Sequence, residues 1–191
     1  MQPQTKGIPP QEYLKNEKQA ECKSEYYHGE IFAMTGASVN HNLISTNIIA
    51  MLVNSLKKPC LVFPGDIKVE IDEAHHYVYP DVSVVCEEIE YGAGRNDVIL
   101  NPIVIFEILS ESTKDYDRGT KFAAYRRLDS LVNYIIIDQY GIQVENFTRK
   151  GNALWELMLY HGLEDRLVIP SIDVSLDLKT IYKNIRHLTI V

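Results

Sequence analysis

The chain contains few cysteines, and none of them forms a close pair. Its 191 residues include only Cys22, Cys60 and Cys86. Their odd number, their wide separation and the lack of a CxxC motif exclude the sequence patterns of zinc sites, dithiol redox centres and disulfide-rich scaffolds. We therefore expect three reduced cysteines with structural roles.

Long apolar runs and low-complexity tracts are also missing. No apolar segment reaches the roughly 18 residues needed to cross a bilayer. The N-terminal sequence MQPQTKGIPPQEYLKNEKQ has no apolar core like that of a signal peptide. A hydrophobic share of 46% and a charged share of 24% are typical of a globular protein. The length suits one hydrophobic core better than two, so we predict a single cytoplasmic domain over residues 1–191.

Positive charge is in short supply. The chain has 19 Lys and Arg against 26 Asp and Glu, which gives a formal net charge of -7. Because contacts between cations and phosphates supply most non-specific affinity for nucleic acids, this balance weighs mildly against a high-affinity nucleic-acid binder. It is compatible with a local basic patch or with an acidic cleft that holds a metal.

Hydrophobic periodicity predicts an α/β (α+β) chain. A short N-terminal helix, a hairpin in SEYYHGEIFAMTG and a helix over residues 38–58 come first. The segments CLVFPGDIKVEID and YVYPDVSVVC then have the composition of strands, as does the apolar run that begins at residue 103. A second helix is predicted from about residue 117 to residue 128, followed by further strands and a short C-terminal helix in DLKTIYKNI.

One carboxylate lies inside the most apolar of these strands. In IVIFEIL, Glu107 shares a face with Ile105 and Leu109, and the opposite face is apolar as well. The strand should therefore be central in its sheet. An unpaired charge in such a place costs several kcal/mol or more, so Glu107 requires a partner, a metal or a shifted pKa.

Two further residues are candidates to surround Glu107. Asp81 follows Pro80 at the start of another strand, and two carboxylates brought close together repel unless a proton or a divalent cation lies between them. Lys121 falls in the apolar stripe of the second predicted helix, so it should face the sheet. A lysine near two carboxylates and Mg²⁺ or Mn²⁺ could orient a water or stabilise charge on a phosphate.

These residues resemble the PD-(D/E)XK nuclease superfamily and, within it, the restriction-endonuclease-like family called Uma-two. The resemblance runs from about Pro10 to Leu178. Its motifs here are EYYHGEIFAMTGAS, NHNLISTNI, GDIKVEID, YPDVSVV, PIVIFEILSEST, DRGTKFAAYRRL and VNYIIIDQYGIQVENF. It implies a restriction-endonuclease-like core, in which helices flank a mixed central β-sheet.

The resemblance also implies roles for individual residues. Asp81 and Glu107 match as ligands of Mg²⁺ or Mn²⁺, with Asp66 beside them and Glu30 as an acid that completes the site. The superfamily lysine is expected two residues after the glutamate, where this chain has Leu109. The family shifts that lysine to the next helix, so Lys121 takes the catalytic role together with Asp81 and Glu107.

Simpler interpretations stay open beside these. Lys68, two residues beyond Asp66, is an alternative source of the cation, and Lys121 could instead pair with Asp117 on an exposed helix face. The two acids could be satisfied by backbone amides, or by Arg118 or Arg126, without a metal. His41 is most simply a packed or capping residue of its helix. His75 and His76 in EAHH are most simply part of a solvated turn.

The first functional hypothesis is a Mg²⁺-dependent endonuclease that acts on DNA. The alternatives are a binding or accessory protein without turnover, which Leu109 and the net charge favour, and a hydrolase of smaller phosphoesters. Cutting both strands of a duplex needs two sites, so we also predict a homodimer. Its interface would be formed by ALWELMLYHG or GIQVENFTR, where apolar side chains lie on both faces of a strand.

Overall fold

The chain folds into two mixed sheets, a small third sheet and flanking helices. The computed structural model describes residues 7–34, 36–57, 59–72, 76–92, 94–111, 114–186 and 188. The helices are α1 (Pro10–Glu17), α2 (Val39–Ser55), α3 (Lys114–Tyr116), α4 (Phe122–Tyr125) and α5 (Leu178–Ile181). The strands are β1 (Ser24–Tyr27), β2 (Glu30–Ala33), β3 (Leu61–Pro64), β4 (Lys68–Glu70), β5 (Tyr77–Val78), β6 (Val82–Val85), β7 (Val98–Ile99), β8 (Val104–Leu109), β9 (Asn133–Asp138), β10 (Val144–Arg149), β11 (Trp155–Tyr160), β12 (Arg166–Ile169) and β13 (Val174–Asp177).

The largest sheet has six strands in the order β11-β10-β9-β8-β6-β3. Strand β8 pairs parallel to β9 and antiparallel to β6, so the sheet is mixed and the strand that carries Glu107 is central. The predicted mixed sheet and the predicted central strand are therefore both confirmed. A second sheet has the order β2-β1-β5-β4-β7, and β12 pairs with β13 in the third.

The two faces of β8 contribute to different cores. Val104, Phe106 and Ile108 pack with α2, α5 and the β12–β13 sheet. Ile105 and Leu109 pack on the other side with α4 and with residues of the five-stranded sheet. Because side chains alternate along a strand, Glu107 lies on the second of these faces, between the two sheets.

Helix α2 is the long helix that the periodicity predicts. It is a few residues shorter than the predicted range of 38–58. The Ser38 side chain accepts a hydrogen bond from the backbone N–H of His41, which caps the first turn. Ile44, Ile48 and Leu52 bury the face that packs on the six-stranded sheet.

The second predicted helix is interrupted. It begins with α3, continues through a π-helical turn over Asp117–Lys121 and ends with α4. Residues in a π-helical turn are displaced around the axis relative to an α-helix, and such turns occur frequently at functional sites. Lys121 is nevertheless buried, as the apolar stripe predicts.

The prediction of three reduced cysteines is wrong for two of them. Cys60 and Cys86 form a disulfide, and Cys22 is free and exposed. The register of β3 with β6 pairs Leu61 with Val85, so the two cysteines lie opposite each other one residue further on. They are 26 residues apart in sequence, and only the pairing of these strands brings them together.

Strand β11 forms one edge of the six-stranded sheet. Leu157, Met158 and Leu159 are each about half exposed, so this strand is not buried on both sides within the chain. Strand β10, which carries most of GIQVENFTR, lies between β9 and β11 and offers no free edge. A homodimer through β11 stays a prediction. No helix among the described residues is long and apolar enough to cross a membrane.

Candidate functional site

The site is centred on a buried ion pair between β8 and the helix that follows it. Nζ of Lys121 lies 2.9 Å from Oε1 of Glu107, and both residues are almost fully buried. The Tyr125 hydroxyl donates a hydrogen bond of 2.9 Å to the same carboxylate oxygen. Lys121 and Tyr125 are four residues apart, so one helical turn presents both groups to Glu107.

A second carboxylate binds the same ammonium. Oε1 of Glu25, on β1, lies 3.0 Å from Nζ of Lys121, and Glu25 is also buried. Its carboxylate accepts a hydrogen bond from the backbone N–H of Tyr79 as well. Strand β1 of the second sheet thus closes over Lys121 from the side opposite β8, and the lysine is held between two acids.

Asp81 lies next to Glu107 across the sheet. Val82 pairs with Phe106, so the same register continued by one residue places Asp81 opposite Glu107. Oδ2 of Asp81 accepts a hydrogen bond of 2.7 Å from the backbone N–H of Ile108. It also lies 3.1 Å from Nε2 of His41, so helix α2 contributes to the site.

Burial and charge shift the pKa values of the central pair. Burial raises the pKa of Glu107 well above its usual value, and the negative charge of Asp81 raises it further, although Lys121 acts in the opposite direction. Burial opposes the charged form of Lys121, but the carboxylates of Glu107 and Glu25 outweigh it and raise the pKa of the ammonium. Burial and the neighbouring acids therefore favour the neutral form of Glu107, whereas the same acids favour the charged form of Lys121.

The structure decides between several of the simpler interpretations. Lys121 is not on an exposed helix face, and its distance of 3.8 Å to Asp117 is longer than its distances to the two glutamates. Arg118 pairs with Glu145 and so is not the partner of Glu107. The interpretation that backbone amides satisfy the acids holds for Asp81, whose carboxylate accepts a hydrogen bond from the Ile108 N–H.

Lys68 belongs to a different cluster. Its Nζ lies 3.0 Å from Oδ2 of Asp97 and 5.0 Å from the centre of the Tyr79 ring. The ammonium that pairs with Glu107 is therefore that of Lys121 and not that of Lys68.

Asp66 and Glu30 are not part of the buried cluster. The Asp66 side chain is 80% exposed and lies 2.8 Å from Nζ of Lys23, although the preceding Gly65 packs close to the Asp81 backbone. Glu30 is exposed at the start of β2, an edge strand. The family resemblance implies that both acids lie near Asp81 and Glu107, but their carboxylates lie in solvent.

The donor set of the site fits a hard divalent cation with few protein ligands. Within the described part of the chain, no three His, Cys, Asp or Glu side chains are grouped as a complete metal site. Mg²⁺ does not require such a cage, because it usually keeps several waters and binds one or two carboxylates together with substrate phosphates. Asp81 and Glu107 are the two carboxylates of the site that such an ion would bind.

Sequence reasoning missed Glu25 and Tyr125 as site residues. Glu25 carries the same signal as Glu107, since it is a carboxylate within a strand of buried aromatic and small residues. The periodicity places Tyr125 in the apolar stripe of the helix, and its ring does pack there, whereas its hydroxyl reaches Glu107. In each case, the contact with Lys121 or Glu107 depends on how distant segments pack.

His76 is not in a solvated turn. It is 1% exposed, its ring lies 4.5 Å from that of Tyr27, and burial lowers its pKa to about 4. Neither of its ring nitrogens has a hydrogen-bond partner among the described residues. His75, the other histidine of EAHH, lies outside the described residues.

Comparison with known proteins links this geometry to one family. Residues 10–179 match the model of the Uma2 family, described as "Putative restriction endonuclease". Two proteins of Synechocystis sp., both named as uncharacterized, are similar in sequence. One is 36% identical over 154 residues, which cover 80% of this chain and 87% of that protein. The other is 32% identical over 179 residues, which cover 93% of each.

A solved structure shares the fold. It is the crystal structure of a protein from Anabaena variabilis that is described as a putative nuclease belonging to DUF820. The two structures superpose with a TM-score of 0.74 over 92% of this chain and 97% of the other, at 18% sequence identity. The predicted nuclease-like α+β fold, with helices around a mixed sheet, is therefore confirmed.

Proposed function

The chain belongs to the Uma2 family, and we propose that it is a Mg²⁺-dependent endonuclease that hydrolyses DNA phosphodiester bonds. The observation that carries this proposal is the arrangement of Asp81, Glu107 and Lys121. An ammonium lies 2.9 Å from a buried carboxylate, and a second carboxylate is in register beside it. Structural ion pairs do not require the additional acid, whereas hydrolysis assisted by a cation does.

Asp81 and Glu107 would hold the cation. Two adjacent carboxylates repel each other in a buried place, and a divalent ion between them removes that repulsion. A bound Mg²⁺ or Mn²⁺ supplies Lewis-acid stabilisation of negative charge on a phosphate. Asp66 and Glu30 are not assigned to it, because their carboxylates lie at the surface.

The ammonium of Lys121 is a second positive charge beside Glu107. An ammonium has three N–H donors, and Glu107 and Glu25 lie within hydrogen-bond distance of Lys121. The same ammonium would stabilise the charge that develops on an oxygen of the scissile phosphate. Tyr125 holds the Glu107 carboxylate in position, and Glu25 fixes the lysine.

The test of the proposed function is a cleavage assay with the full chain. Supercoiled, linear and single-stranded DNA are incubated with Mg²⁺ or Mn²⁺, and matched reactions contain EDTA. We expect cleavage with either cation and none with EDTA. If none of the three substrates is cut with either cation, the proposal is wrong, and the alternatives are a binding or accessory protein and a hydrolase of smaller phosphoesters.

His41 positions Asp81, and its removal should weaken the use of metal more than the maximal rate. His41→Ala removes the ring nitrogen that lies 3.1 Å from Asp81. Loss of a group that orients a ligand typically costs about 10- to 100-fold in metal affinity, so the Mg²⁺ concentration for half-maximal cleavage should rise by that factor. At saturating Mg²⁺, most of the rate should return.

His41→Gln is the matched variant, because its amide can reach the position of Nε2. It should restore a metal dependence close to that of the native chain, while both variants keep the native melting temperature within a few degrees. An unchanged Mg²⁺ dependence for His41→Ala would leave His41 as a packing residue of α2.

A further inference from the structure

A small basic cavity lies at the far end of the helix that carries the site. Its volume is about 300 Å³, and it is lined by Ala123, Arg126, Arg127, Asn152, Ala153 and Trp155. We call it the Arg126 cavity. It is formed where the end of α4 meets the loop between β10 and β11. Lys121 immediately precedes α4, so the cavity and the proposed catalytic lysine belong to one continuous segment.

The arginines around this cavity differ in their partners. Arg127 lies 2.7 Å from Oδ2 of Asp72, so its charge is largely offset. Arg149 donates to the carbonyl oxygens of Arg126, Leu128 and Leu131, in the segment that follows α4. This contact explains Arg149 as a structural residue.

Arg126 has no such explanation. Its side chain is exposed, and no carboxylate among the described residues lies within ion-pair distance of it. Its guanidinium packs 5.2 Å from the centre of the Phe122 ring, which holds it beside the cavity. The positive charge of Arg126 is therefore not offset by a carboxylate of the described residues. Such a guanidinium can bind a phosphate through charge-assisted hydrogen bonds.

The aromatic wall adds a second element of recognition. Trp155 lines the cavity, and the Arg149 guanidinium lies 4.6 Å from the centre of its ring. Phe122 contacts the same indole with its ring nearly perpendicular, at 5.4 Å between centres. Arginines interleaved with aromatic rings are the usual composition of surfaces that follow single-stranded nucleic acid.

We propose that the Arg126 cavity binds one nucleotide of an unpaired DNA strand, with Arg126 on its phosphate and Trp155 beside its base or sugar. The size fits this ligand, because about 300 Å³ is at the lower end of small-molecule sites and is too small for a duplex. The inference rests on the proposed function for its choice of DNA. The Arg126 cavity would be a second DNA-binding site, separate from the cleavage site.

Trp155 is the only tryptophan of the chain, so tryptophan fluorescence comes from a residue that lines this cavity. The full chain is titrated with a dodecamer of thymidylate in EDTA at low salt. We expect a saturable change in fluorescence at micromolar oligonucleotide. The plot of log affinity against log salt should become shallower by about 0.7 in Arg126→Gln, the value for one lost phosphate contact to a single strand.

Arg166→Gln is the matched control, since it makes the same charge change on β12, where Arg166 contacts Ser175. Arg126→Gln should weaken binding by about 10-fold and Arg166→Gln by less than about twofold, which are typical differences between a phosphate-binding arginine and a remote one. Equal losses in the two variants, or no fluorescence change with the oligonucleotide, would overturn the proposal. Inorganic phosphate that competes at the same micromolar concentrations would show an anion site and overturn it too.

This experiment separates the inference from the proposed function, because binding in EDTA does not require cleavage. If the chain cuts no DNA but shows a fluorescence change that depends on Arg126, nucleotide binding in the Arg126 cavity is supported and the proposed nuclease activity is rejected. If the chain cuts DNA equally well with and without Arg126→Gln and shows no fluorescence change, the nuclease activity is supported and binding in the Arg126 cavity is rejected.

Discussion

Glu107→Gln should reduce metal-dependent DNA cleavage by on the order of 10³-fold while the protein stays folded. The amide keeps the shape of the side chain and can still accept the Tyr125 hydrogen bond, but it is a poor ligand for Mg²⁺. Lys121 retains Glu25 as its partner, so no buried charge is left unpaired. Rates under single-turnover conditions at saturating Mg²⁺ measure the loss.

The same substitution should have a small effect on stability, and that effect should depend on pH. Because the pKa of Glu107 is raised in the folded chain, its favourable contribution is complete below its unfolded value of about 4.5 and is lost as the pH rises through the folded value. The amide introduced by Glu107→Gln does not titrate. The difference in unfolding free energy between the variant and the native chain should therefore favour the variant more at pH 8 than at pH 5. Urea unfolding of the metal-free proteins should give a difference within about 1 kcal/mol at either pH.

Glu145→Gln provides the matched control for Glu107→Gln. Glu145 is also largely buried and also pairs with a cation, Arg118, but it lies on β10 outside the proposed site. It should keep most of the cleavage activity. A Glu107→Gln variant that cleaves as well as Glu145→Gln would remove Glu107 from the catalytic site, and a loss of several kcal/mol would make it a structural ion-pair residue.

Local patterns were sufficient to predict that Glu107 lies on a central strand and that Lys121 faces the sheet. The apolar residues on both sides of Glu107 predict a central strand, because only burial on both faces explains them. The helical stripe places Lys121 towards the sheet even though a π-helical turn alters its exact position. These predictions depend on neighbours within a few residues.

The parts that the sequence did not reveal depend on register and packing between distant segments. Glu25 reaches Lys121 because the β1–β2 hairpin joins the second sheet, and its own segment does not reveal that Lys121 is its partner. Cys60 meets Cys86 only through the pairing of β3 with β6. His76 is buried by the contact of β5 with β1, which no local signal of EAHH indicates.

Lys121→Met should both abolish cleavage and destabilise the fold, which makes it the most damaging single change expected in this chain. The substitution leaves Glu107 and Glu25 buried without the ammonium that lies within 3.0 Å of each. Removing one partner of a buried ion pair costs about 3–5 kcal/mol. That is a large fraction of the roughly 5–15 kcal/mol by which a domain is stable, so urea unfolding followed by circular dichroism should detect it easily.

A second variant shows whether this loss comes from stranded charge. Adding Glu107→Gln to Lys121→Met removes one of the two unpaired carboxylates, so the double variant should be more stable than Lys121→Met by about 1–3 kcal/mol, without regaining cleavage. The control is Lys68→Met, which removes the buried Lys68 from its pair with the partly exposed Asp97. It should also lose stability, but because Lys68 does not reach Glu107, the protein that remains folded should still cut DNA. Full cleavage by Lys121→Met together with loss of cleavage by Lys68→Met would transfer the catalytic lysine to β4.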